Sequence, residues 1–250
     1  MNSLSAESTT THLATGVIDD SLPLLEQSYR LRYQVYCLER GFLPKRHYPD
    51  KRESDAFDIH STHIGVLNER GEIVGTARLV EPSAIGLPLF RYCTLFDDAP
   101  SFDDSRYRIV EASRLAISKH CHRDGRGGFC GLQRRSGQSR RTAGRKSGDI
   151  VFHIFKGLYQ ASKRRGYTHW LAATEKSLQR LMTRYGFPFR VIGPETDYYG
   201  CVAPYLMDLS QFDRVILSGQ IPLLDEFLEG LEPEFHPVDE SAYCPSESVL

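Results

Sequence analysis

Residues 108–117 read RIVEASRLAI. Ile109, Val110, Leu115, Ala116 and Ile117 give this run the apolar, β-branched character of a buried strand. Glu111, Ser113 and Arg114 interrupt it, and alternation along a strand predicts Glu111 and Ser113 on one face and Arg114 on the other. Downstream, DIVFHIFKGLYQASKRR (149–165) has the spacing of an amphipathic helix that Gly166 ends, and THWLAA (168–173) reads as a strand. Strand, helix, strand is a parallel crossover. Upstream, THIGVLN (62–68) and EIVGTARLV (72–80) flank Glu69-Arg70-Gly71, which predicts a hairpin. A helix from Ser21 precedes them, with Pro23 in its first turn and Gly41 as its stop. Helix 175–185, strands 189–192 and 201–208, and two short helices near 211–218 and 222–230 complete the pattern. This order excludes a doubly wound parallel sheet. It predicts an α+β domain with a mixed sheet, antiparallel in its first half, that tends to part at the one parallel junction.

The chain has 250 residues, 40% hydrophobic and 25% charged, with a net charge of −1. These values exclude a collagen, a rod and a fully disordered chain. No run of 18 apolar residues is present, and the first twenty residues lack the basic and apolar regions of a secretory signal. A cytoplasmic location is therefore expected. The six cysteines form no C-x-x-C pair and read as free thiols. The expected organisation is a polar, disordered stretch over 1–20, a domain over 21–215, and a C-terminal helix with an acidic tail over 216–250. Charge is uneven. Residues 119–147 hold nine Lys or Arg and one acid, and read as a flexible basic insertion; residues 225–250 hold eight acids and no base. The basic segment could dock an acidic carrier protein or touch anionic lipid at the inner membrane. Nucleic acid is not expected, because Phe129 alone interleaves the segment. No metal is expected either: His120-Cys121-His122 with Cys130, and His60 with His63, lack the paired spacing of a zinc site.

Charges inside apolar elements need partners. Arg32 lies mid-helix in YRLRYQVY, Arg78 lies within the strand TARLV, and Glu53, Asp55 and Asp58 crowd the loop before the hairpin. Pattern alone leaves two readings open, a structural ion-pair network and an active-site cluster.

Four motifs stand in order over residues 30–118: L-R-x-x-V-Y (Leu31, Arg32, Val35, Tyr36), E-x-D-x-x-D (Glu53, Asp55, Asp58), A-R-L-V (Arg78, Leu79) and E-x-S-R-L (Glu111, Ser113, Arg114, Leu115). Together they resemble the acyl-homoserine-lactone (autoinducer) synthases and N-acyl amino acid synthases, acyltransferases of the GNAT superfamily. The later run THW (168–170), EKSLQRL (175–181), RYGF (184–187), VIGP (191–194) and Y-x-G-x-x-A-P-Y (198–205) is similar to the acyltransferase associated with the exosortase/PEP-CTERM protein-sorting system of Gram-negative bacteria. The resemblance spans about residues 22–215. It implies a GNAT-like fold with a splayed mixed sheet flanked by helices. It also implies N-acyl transfer to the amine of an amino acid or small amine. The donor would be an acyl thioester, on acyl carrier protein or coenzyme A, used as co-substrate with no tightly bound cofactor. Glu111 would be the general base and Ser113 an oxyanion donor. Arg32, Tyr36, Asp55, Asp58, Arg78 and Arg114 would bind substrate, with Arg32 joining Asp55 and Asp58 to hold segment 42–58. A lactone synthase using S-adenosylmethionine, and a non-catalytic acyl-binding module, remain alternatives.

The family's coenzyme A pyrophosphate motif, Q/R-x-x-G-x-G/A, has its nearest counterpart in HRDGRG (122–127). Arg123, Gly125 and Gly127 are thus candidate cofactor-binding residues; the other reading makes them part of the flexible insertion. Phe152, Ile154, Phe155, Leu158 and Tyr159 on the 149–165 helix, with Trp170, Leu171, Phe187 and Phe189, are either core or in part the wall of an acyl-chain tunnel.

Overall fold

The computed structural model describes residues 13–102, 106–117 and 140–238. In chain order they form β1 (Ala14–Val17), α1 (Leu22–Tyr33), a π-helical turn (Gln34–Glu39), β2 (Ser61–Leu67), β3 (Ile73–Val80) and α2 (Pro88–Tyr92). There follow β4 (Ile109–Ile117), α3 (Arg140–Arg165), β5 (His169–Thr174), α4 (Lys176–Arg184), β6 (Arg190–Val191), β7 (Thr196–Asp197), β8 (Cys201–Asp208) and α5 (Leu209–Leu217). The strands hydrogen-bond in the order β1-β2-β3-β4-β5-β8-β6, with β7 on β8. β4 and β5 run parallel, whereas β1–β2, β5–β8, β6–β8 and β7–β8 are antiparallel. The sheet is mixed and mostly antiparallel, as the element order predicts.

The described residues divide into two compact units. The first takes in the described parts of Met1–Glu53, His63–Ala77 and Leu115–Gly157. The β2–β3 turn closes because Asn68 Oδ1 accepts the N–H groups of Arg70 and Glu72 (2.9 and 3.0 Å), with Gly71 at φ +73°. Leu31 and Val35 bury against Ala116. Gly75 admits α3, since a Cβ there would stand 2.6 Å from Ile150 Cγ2. Phe152, Ile154 and Phe155 are buried. Two expectations are corrected here. Residues 14–17, expected to be disordered, form β1, because Thr15 and its neighbours pair in register with β2. Helix α3 begins at Arg140 rather than 149, so the last residues of the basic stretch continue the helical backbone.

The second unit takes in the described parts of Ser54–Thr62, Arg78–Arg114 and Leu158–Leu250. Its core joins Phe57, Val80, Leu87, Leu89, Ile109, Leu171, Ile192 and Leu206. Tyr159, Phe187, Phe212 and Phe227 meet in a second aromatic group, with Phe187 stacked on Phe212 at 4.3 Å. Trp170 is fully buried, and its indole N–H donates to Ser162 Oγ at 2.8 Å. Gly166 at φ +68° turns the chain out of α3. Asp208 caps α5 by accepting the Ser210 N–H.

The β4–β5 ladder places the site. It runs Ile109↔His169, Val110↔Trp170, Glu111↔Leu171 and stops. β5 continues against β8 as far as Thr174. The two strands therefore part just beyond Glu111. No helix among the described residues is long and apolar enough to cross a membrane.

Candidate active site

Arg78 is the hub. β3 carries it at zero exposure. Its Nη1 donates to Asp55 Oδ1 (2.7 Å) and Asp58 Oδ1 (2.6 Å), its Nη2 to Asp55 Oδ2 (2.8 Å) and its Nε to Ser113 Oγ (3.2 Å). The fork suits a guanidinium, which presents rigid parallel donors to a carboxylate. The loop folds to meet it. Asp58 Oδ2 accepts the Asp55 N–H, and Asp55 Oδ1 accepts the Phe57 N–H, so both carboxylates are fixed by their own backbone. Arg114 adds a second guanidinium to Asp55, Nη2 to Oδ2 at 2.8 Å.

Strand alternation predicts Ser113 and Arg114 on opposite faces, and the structure differs. Arg114 has φ +51°, a left-handed residue inside a strand. That backbone conformation breaks the alternation, and both Ser113 and Arg114 reach the Asp55–Arg78 cluster.

The carboxylates have opposite electrostatic settings. At Asp55 burial works to raise the pKa. The Arg78 hydrogen bonds and the charges of Arg78 and Arg114 outweigh both burial and the Asp58 charge, and hold the group below the usual carboxylate range. Its side chain keeps 24% exposure, so this anion faces outward. Glu111 has 1% exposure. Burial pushes it up to about 7, against the downward pull of the Leu89 N–H and the charges of Arg78 and Arg114. The Leu89 N–H donates to Glu111 Oε2 at 2.7 Å. The Glu111 carboxylate is therefore not enclosed by hydrocarbon alone, but α2 covers it.

Residues from the irregular-looking stretch 81–105 and from the turn before β8 complete this unit's cluster, and motif reading misses them. Tyr92 stacks on Tyr198 (4.3 Å, 12°), and Tyr198 lies against Tyr199 (4.5 Å). The Arg114 guanidinium sits 5.2 Å from the Tyr199 ring centroid. The adjacent Tyr-Tyr-Gly, a turn signal carrying two rings, is the one sequence feature that points to them.

Arg32 and Tyr36 lie in the first unit. Arg32 donates from Nε to Glu53 Oε2 at 2.5 Å, both side chains being buried. Asp55 and Asp58, the expected partners of Arg32, belong to the second unit. The Glu53 N–H bonds the Tyr29 carbonyl one turn before Arg32, which brings Glu53 within reach, while Arg78 and Arg114 hold Asp55. Tyr36, on the π-helical turn, donates to the Leu115 carbonyl at 3.2 Å. Arg123, Gly125 and Gly127 lie outside the described residues.

Residues 31–129 match the family model of the acetyltransferase (GNAT) domain. No curated protein matches the chain. Among solved structures, TofI in a ternary complex with an inhibitor and MTA superposes with a TM-score of 0.57 at 20% identity, covering 90% of this chain and 98% of that one. BjaI, a CoA-dependent acyl-homoserine lactone synthase solved with SAM and isopentyl-CoA, gives 0.54 at 18% identity, covering 88% of each. FeeM, an N-acyl amino acid synthase from uncultured soil microbes, gives 0.54 at 10% identity, covering 83% and 95%. The chain has the GNAT-like fold, a mixed, mostly antiparallel sheet flanked by helices.

Proposed function

We propose that the chain is an N-acyltransferase that moves an acyl group from a thioester to the amine of an amino acid or small amine. One observation carries this reading: a carboxylate with a pKa of about 7 stands where β4 and β5 part, beside a second carboxylate held ionised by two arginines. A base near neutral pH accepts a proton and releases it again, whereas a permanent anion binds a cation without titrating.

The roles follow from these settings. Asp55 attracts the acceptor as its ammonium ion. Glu111 takes the ammonium proton, leaving a neutral nitrogen. That nitrogen attacks the thioester carbonyl carbon and forms the C–N bond. Charge gathers on the carbonyl oxygen, where backbone N–H groups along the parted edge of β4 and the Ser113 hydroxyl offer donors. The C–S bond then breaks, and the surplus proton on the new C–N nitrogen passes to the departing thiolate, giving an amide and a free thiol. Arg78 and Arg114 keep Asp55 charged throughout, and Arg78 with Asp58 fixes the loop. α2 must yield for Glu111 to meet the amine, because the Leu89 N–H occupies one of its oxygens. Arg32 and Tyr36, the other two candidate substrate-binding residues, bond Glu53 and the Leu115 carbonyl in the first unit.

The donor is acyl carrier protein or coenzyme A. The run from THW to Y-x-G-x-x-A-P-Y supports a link to exosortase-type protein sorting. A second reading, lactone synthesis from S-adenosylmethionine, draws on the likeness to a lactone synthase solved with SAM and isopentyl-CoA. Thiol release from an acyl thioester, assayed over a panel of amino acids and with S-adenosylmethionine, tests all of this. Mass spectrometry of the product separates an N-acyl amino acid from a lactone. Glu111→Gln should cut turnover by about 100-fold or more. Release that is independent of any amine would defeat the proposal.

A further inference from the structure

Arg114 and Tyr199 are both non-glycine residues in the left-handed region, at φ +51° and +55°. An L side chain stays there only where its surroundings over-determine it, and such residues gather at functional sites. These two touch. Tyr199 stands in the β7–β8 turn, where the Tyr198 N–H donates to the Gly200 carbonyl at 2.9 Å. Its ring faces the Arg114 guanidinium at 5.2 Å. Tyr198 lies against Tyr199 at 4.5 Å and stacks on Tyr92, so two further rings pack at the same turn. Glycine at 199 would relax the turn, yet it would remove the surface on which Arg114 rests. Arg114 in turn delivers Nη2 to Asp55 Oδ2 at 2.8 Å.

We propose that Tyr199 is a positioning residue for acceptor binding: its ring face fixes the Arg114 guanidinium, which fixes the Asp55 carboxylate where the acceptor's amine is received. This rests on the acyl-transfer reading and deepens it by one residue. In this proposal Tyr199 acts through Arg114 alone.

The test uses the full chain, a saturated acyl-coenzyme A as donor and the best amine from an amino-acid panel. Tyr199→Gly suits the left-handed backbone and removes the ring. Tyr199→Phe keeps the ring face. The glycine variant should fold like the wild type by circular dichroism and raise the acceptor's KM about ten-fold. Its kcat and donor KM should stay within about two-fold. The phenylalanine variant should stay within about three-fold in every constant. Should the glycine variant fail to fold, Tyr199→Asn is the second ringless residue that tolerates this backbone. An unchanged acceptor KM in a folded ringless variant overturns the inference. So does a loss shared by kcat and both KM values, which marks a general structural role. A wild-type chain that transfers nothing to any amine defeats the acyl-transfer reading instead, so the two failures are distinct.

Discussion

Glu111 and Asp55 are chemically alike and electrostatically opposed, and this opposition yields the sharpest expectations. Burial raises Glu111 from 4.5 to about 7, so the folded state favours its protonated form. That preference is fully present below the unfolded pKa and is lost as pH rises through the folded one. At full effect it amounts to about 3 kcal/mol. Glu111→Gln carries no titrating group. It should therefore melt progressively higher than the wild type as pH rises from about 4.5 through about 7. Melting curves at pH 5 and pH 8 check this, and a constant gap between the two proteins would refute it. In the wild type, turnover should climb with an apparent pKa near 7 as Glu111 loses its proton. Arg78 is a different case. Arg78→Met leaves Asp58 buried without its guanidinium and should cost about 3–5 kcal/mol of stability, read from chemical denaturation. Arg78→Lys keeps the charge but loses the fork, and should fall between. At this scale the sequence shows which residues are charged inside apolar elements, and so it shows the cluster. It does not show their pairing. Arg32 meets Glu53 because of a backbone hydrogen bond near Tyr29, and Arg114 joins Asp55 because one left-handed residue overrides alternation.

Elements are easier to read than partners. The predicted runs 62–68, 72–80, 108–117 and 168–173 match β2, β3, β4 and β5 within a residue, because apolar β-branched runs bounded by turn residues have few other solutions. β1 and α2 escape that logic. β1 is a four-residue edge strand, Ala14–Val17, and gains its order from pairing with β2. α2 is a single turn in a proline-containing stretch with no period to detect. Gly193, in the link from β6 to β7, is legible as a turn residue but not as a packing constraint. A Cβ there would lie 2.1 Å from the Thr94 carbonyl oxygen. The Phe96 N–H to Ile192 carbonyl bond pins the two segments together, so neither can retreat cheaply. Gly193→Ala should therefore lose about 3 kcal/mol. A lower urea midpoint with unchanged slope checks this.

For the whole molecule, the order of elements excluded a doubly wound sheet and called for a parallel junction after β4, and the sheet is mixed with β4 and β5 parallel. The donor's identity is a question of net charge rather than of any one element. Residues 119–147 carry nine Lys or Arg against one acid, whereas an acyl carrier protein is acidic. If carrier protein is the donor, its KM should rise steeply between 50 and 300 mM salt, about ten-fold, while an acyl-coenzyme A should shift less. Charge reversal at Arg134, Arg135, Arg140 and Arg141 should mimic high salt for the carrier protein. A rate indifferent to both changes would remove electrostatic docking from consideration.

The contact between the Leu89 amide and Glu111 gives the site a built-in spectator. A hydrogen bond to an ionised oxygen is stronger than one to a neutral acid, so the Leu89 ¹H–¹⁵N resonance should travel downfield as Glu111 ionises. A nuclear magnetic resonance titration of this single peak would follow the base in the resting protein, with neither substrate nor label in place.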